Sequence, residues 1–85
     1  MTVPPWCTVI EALEARGLLE TVRARALARH VTLEEVCGRV RTRQVVRARH
    51  DAWKALYELG FSYPEIGRLF DVGHMSVLRG VRGRR

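Results

Sequence analysis

Apolar positions recur along the chain at helical spacing and are separated by charged and turn-forming residues. In "SYPEIGRLFDVGHMSVLRGV", residues 62–81, Ile66, Leu69 and Phe70 fall on one helical face. Ser62 followed three residues later by Glu65 is a capping box, and Pro64 is tolerated in the first turn, where its missing N–H is not needed. Asp71-Val72-Gly73 reads as a turn, with Gly73 taking the backbone angles that Cβ-bearing residues resist. A second helix follows from His74 to Arg82, with Val77, Leu78 and Val81 inward and His74, Met75, Ser76 and Arg79 outside. Two short helices joined by such a turn make a helix-turn-helix pattern.

The same reading extends upstream. Thr8 and Glu11 form a capping box that opens a helix through Val9, Ile10 and Leu13. Gly17 either ends that helix or is carried inside it, and the pattern leaves both open. Leu18 to Arg29 is helical, with Leu19, Val22, Ala26 and Leu27 as its apolar side and His30 set to interact with the terminal carbonyls. Thr32 and Glu35 make a third capping box, which starts a short helix with Leu33, Val36 and Cys37 inward. Residues 38–42 form a basic joint. The longest helix runs from about Thr42 to Leu59, burying Val45 or Val46, Ala52, Trp53, Leu56 and Leu59, with Gly60 as its cap. Trp53, Phe61, Tyr63 and Phe70 read as core, Trp6 as a cover over the first helix start, and Glu11, Glu14 and Glu20 as a solvated face. No strand alternation or repeat appears, so the expected fold class is all-α.

Eighty-five residues, 47% hydrophobic and 28% charged, imply one small soluble domain. Within it, residues 8–30 form N-terminal helices for packing or partner contact, and residues 32–82 hold the helix-turn-helix. No apolar run approaches a bilayer span, and "MTVPPW" lacks the basic start and apolar core of a secretion signal. A cytoplasmic protein without a membrane partner is the expectation. Cys7 and Cys37 are too few for a disulfide framework and are not spaced as a metal clamp; Cys37 reads as a buried free thiol.

Charge changes the picture more than composition does. Residues 1–37 carry four arginines against five glutamates, whereas residues 38–85 carry ten arginines and Lys54 against Asp51, Glu58, Glu65 and Asp71. The positive excess therefore sits entirely in the half that holds the helix-turn-helix, which points to a polyanion as partner. Catalytic chemistry finds no support. There is no phosphate-binding "GxxxxGK[ST]" loop, and no His, Cys or carboxylate set has metal-ligand spacing. His50 and Asp51 are adjacent, which turns them about 100° apart on a helix. A non-enzyme without metal or cofactor is expected.

The second half resembles the C-terminal DNA-binding domain of the bacterial replication initiator DnaA, over roughly residues 33–82. "RTRQVVRARHDA" resembles that family's basic loop and long-helix start, "SYPEIGRLF" its first motif helix, and "GHMSVL" the start of its recognition helix. The resemblance implies a DnaA-like (Trp-repressor-like) helix-turn-helix. By it, Arg47 matches the minor-groove arginine and Arg49 a neighbouring basic position, while His74, Met75 and Ser76 match the residues that face the major groove. Glu65-Ile66-Gly67 match packing and capping residues. Gly73 stands where the family has an aspartate and Met75 where it has a threonine, so the initiator's own target is not carried over. The family's ATPase domain has no counterpart here.

Both lines lead to one expectation: sequence-specific binding of double-stranded DNA by a small transcription regulator, of a kind that suits a phage or mobile element. The DNA-contacting residues would be Arg39, Arg41, Arg43, Arg47, Arg49, Arg68, His74, Met75, Ser76, Arg79 and Arg82, with Arg84 and Arg85 as a basic tail. A replication-linked protein that binds or masks origin sites is the nearest rival. An adaptor, or a homodimer joined through residues 8–30, would show an exposed apolar stripe on Leu18, Leu19, Val22 and Leu27. RNA binding is disfavoured by the lack of a surface aromatic platform.

Overall fold

The computed structural model describes residues 3–83, and among them there are six helices and no strand. They are α1 (Pro5–Ala15), α2 (Leu19–Ala28), α3 (Leu33–Cys37), α4 (Arg43–Glu58), α5 (Tyr63–Phe70) and α6 (His74–Arg82). The fold is all-α.

Local chemistry sets most of the boundaries. The capping boxes at Thr32/Glu35 and Ser62/Glu65 both form, each with the hydroxyl accepting from the glutamate N–H and the carboxylate accepting from the cap N–H. The expected box at Thr8 does not start α1. The helix begins three residues earlier at Pro5, because a proline in the first turn is already set to helical φ and lacks the N–H that would go unpaired. Trp6 therefore sits inside α1, packed on the core, and lies 3.7 Å from where a Cβ on Gly38 would be. Gly17 breaks the helix. Its φ of 71° lets Leu18 N–H reach the Leu13 carbonyl at 2.9 Å while Gly17 N–H reaches Glu14 at 3.1 Å.

Two left-handed residues fall where no glycine marks them. His30 takes φ 59° after α2, and its backbone N–H, rather than its ring, donates to the Leu27 carbonyl. Asp71 takes φ 57° after α5, so the role expected of Gly73 belongs to the aspartate, a residue that tolerates this region. Gly73 is ordinary extended backbone at the start of α6.

The core is one cluster. Leu13, Val22, Val36, Leu56, Ile66 and Val77 are fully enclosed, and Trp53 meets Phe70 edge-on with ring centroids 5.9 Å apart. On α4, Val45 is the buried member of the valine pair, joined by Ala48, Ala52, Trp53, Ala55 and Leu56. Two expected core residues are outside it: Leu27 is 66% exposed, one step past the buried Ala26, and Leu59 is 59% exposed because it caps α4 beyond the buried stripe. Leu78 and Val81 are half-buried, Phe61 is half-buried against the core, and Tyr63 stacks on exposed Tyr57 at 4.7 Å. Leu18 and Val22 are buried, Leu19 is half-buried and Leu27 is exposed, so the four residues of the expected stripe do not form a continuous apolar surface. Cys37 is a buried free thiol whose pKa burial pushes up to about 12. Among the described residues no helix is long and apolar enough to cross a membrane, and no group of His, Cys, Asp and Glu is placed to hold a metal.

Candidate nucleic-acid interface

α5 and α6 are two short helices joined by the three-residue turn 71–73 and packed on each other, and α4 packs against α6. At Gly80 the two helices approach closely. A Cβ there would lie 2.7 Å from both Trp53 Cε3 and His50 Cδ2, so only glycine admits this approach. Close packing at Gly80 leaves two adjoining concavities along the α4–α6 seam, with Val46 and His50 lining both.

The first concavity, of about 530 Å³, has Arg39, Arg41, Arg49, Ser76 and Arg79 on its walls over an apolar floor of Val46, Trp53 and Phe70. The second, of about 790 Å³, is walled by Arg43, Arg47, Lys54 and Arg82. His74 and Met75 are exposed at the start of α6, where Gly73 offers no side-chain oxygen to their amides. Residues that are scattered in sequence thus share one cationic strip that runs along α6 from Ser76 in its first turn to Arg82 and Gly83 at its C-terminal end. Arg84 and Arg85 lie outside the described residues.

Not every expected contact is on this strip. Arg68 lies elsewhere, in a shallow depression between α1 and α5 with Arg16 and Glu65. Arg49 lines the first concavity, but its guanidinium is engaged inward. Its Nε donates to the Val36 carbonyl at 2.8 Å, and its Nη2 to those of Glu35, Gly38 and Val40 at 3.0, 3.1 and 2.9 Å. Burial lowers its pKa from the usual guanidinium value, with Arg41 adding to the effect. Arg39 pairs with Asp71 at 3.6 Å, linking the basic joint to the motif's turn; both side chains are largely exposed, so the pair is weak.

Three members of the strip were not expected from sequence. Lys54 and His50 extend the α4 face begun by Arg43 and Arg47, and the 43-47-50-54 spacing is the helical signal that marks them. Arg29 joins from α2, held by Asp51 at 2.7 Å, while Gln44 donates to the Arg29 carbonyl. Burial holds the His50 pKa below the ordinary imidazole value, with Arg49 lowering it further and Asp51 opposing. Its ring lies 5.4 Å from Trp53. The exposed Tyr57 and its stacked partner Tyr63 form an aromatic surface not expected from sequence, and neither ring lines the strip.

No protein family, curated protein or solved structure matches the chain.

Proposed function

We propose that the chain is a sequence-specific double-stranded DNA-binding protein, most simply a small transcription regulator. α6 enters a major groove with His74, Met75 and Ser76 at base edges, and Arg47 enters the adjacent minor groove. The reading extends the resemblance of residues 33–82 to the DnaA DNA-binding domain. One observation carries it: Ser76 and Arg79 of α6 share a concavity with Arg39 and Arg41, and Arg43, Arg47 and Arg82 line the next one.

The physical sense of that arrangement is direct. A helix in a major groove and an arginine in the neighbouring minor groove must straddle one sugar-phosphate strand, and the α4–α6 seam is the cationic channel lying between them. Phosphate contacts then supply most of the affinity, and the few residues at the α6 start supply the choice of sequence. An exposed helix start without a side-chain cap keeps backbone N–H groups free for phosphate oxygens. Burial of Leu18 and Val22 weighs against the adaptor alternative, whose docking stripe they were to form.

The test is selection from a random duplex library followed by salt titration of the selected duplex. About five or six phosphate contacts from the strip predict that log K falls with log salt at a slope near −5. Failure to enrich any sequence, or a slope shallower than about −2, contradicts the reading.

A further inference from the structure

We infer that Arg49 is a positioning residue for Arg39 and Arg41, fixing the joint that presents them to DNA while making no DNA contact of its own. The inference rests on the DNA-binding reading and adds to it.

Arg49 is a half-buried cation on α4 whose bonded partners are all backbone carbonyls. Four converge on it, from Glu35, Val36, Gly38 and Val40, at 2.8–3.1 Å. The first two belong to the last turn of α3, where a cation is favoured, and the Glu35 carbonyl also accepts from the Gly38 N–H at 3.3 Å. The other two flank Arg39 on either side, and Arg41 follows directly. The guanidinium fork thus ties the end of α3 and the joint to the second turn of α4 as one unit. The joint is fixed from its other side as well, since a Cβ on Gly38 would meet the Glu34 carbonyl at 2.9 Å and Trp6 at 3.7 Å. A connection held in this way does not lose backbone freedom again when it meets a phosphate, so its arginines bind without that ordering cost. The fork reaches the Val36 carbonyl through Nε and the other three through Nη2, and a lysine, with a single nitrogen, cannot occupy both positions.

The experiment is a mutant cycle on the duplex that the wild-type protein selects, measured by fluorescence anisotropy across a salt series with circular dichroism as the fold check. Arg49→Lys should bind roughly tenfold more weakly and lower the salt slope by about 1 to 2. The double variant Arg39→Ala/Arg41→Ala should lose at least as much, and adding Arg49→Lys to it should cost less than a further twofold. A further loss of about tenfold in the triple variant would mean that Arg49 touches DNA itself, and wild-type binding by Arg49→Lys would mean that positioning is unimportant. Either overturns the inference. If Arg49→Lys does not fold, two glycines inserted between Val40 and Arg41 leave all four carbonyls in place and free only Arg41. That chain should lose as much affinity as Arg41→Ala, and unchanged binding overturns the inference. If the wild-type protein selects no duplex, the DNA-binding reading itself fails, before any variant is compared.

Discussion

Gly80 of α6 lies so close to Trp53 of α4 that a Cβ added to it would sit 2.7 Å from the indole Cε3, with His50 equally near. This contact sets how deep the seam between the two helices is, and so where the α4 arginines stand relative to the start of α6. Helix propensity favours alanine over glycine by about 1 kcal/mol, but forcing a methyl into a packed ring costs about 1–3 kcal/mol. Gly80→Ala should therefore destabilise the fold by about 1 kcal/mol and Gly80→Val by more, as read from urea unfolding. The same variants should weaken DNA binding at temperatures where they remain folded, because α6 is pushed away from α4.

A second expectation concerns pH. His50 has its pKa lowered, chiefly by burial. In the unfolded chain the imidazole takes up a proton below pH about 6.5, whereas in the folded chain it does so only at lower pH. The unfolded state binds more protons in that window, so the stability linked to His50 is full above pH about 6.5 and declines as pH falls from there toward the folded pKa. The thermal midpoint of His50→Gln should decline less than that of the wild type between pH 7 and pH 5. Equal declines would assign the titration to other groups.

Arg47, matched to a minor-groove arginine, and Arg68, expected as a further DNA contact, lie apart: Arg47 lines the strip and Arg68 lies between α1 and α5. Arg47→Ala should reduce the preference for the selected duplex over random DNA by about tenfold, since an arginine in a minor groove reads its width. Arg68→Ala should change neither affinity by more than about twofold. Competition binding at matched salt distinguishes the two.

The parts of this fold that were legible in sequence are those fixed by interactions three or four residues apart. The Thr32/Glu35 and Ser62/Glu65 capping boxes and the α5 stripe of Ile66, Leu69 and Phe70 all belong to that class. The Thr8/Glu11 pair has the same spacing yet caps nothing, because Pro5 starts the helix upstream. His30 and Asp71 carry left-handed turns with no glycine to mark them; both residue types tolerate this region, and the next N–H groups, of Val31 and Val72, return to the Ala26 and Gly67 carbonyls. The basic stretch was legible as charge but not as a surface. Reading residues 39–49 by helical phase separates Arg43 and Arg47, which face the seam with His50 and Lys54, from Arg49. No local pattern could assign Arg49 its partners, because those carbonyls lie 9 to 14 residues away and are gathered only when α3 packs on α4.

The most direct test of the account is to repeat the library selection with Ser76→Ala beside the wild-type protein. Ser76 is exposed on the first turn of α6 and lines the concavity that Arg79, Arg39 and Arg41 share, so its substitution leaves the core untouched. If α6 reads bases, the two proteins should select sites that differ at one base pair, with discrimination there changed by about 1–3 kcal/mol and the salt slope nearly unchanged. If both select the same site with the same preference at every position, α6 is not the reading helix and the proposed docking is wrong.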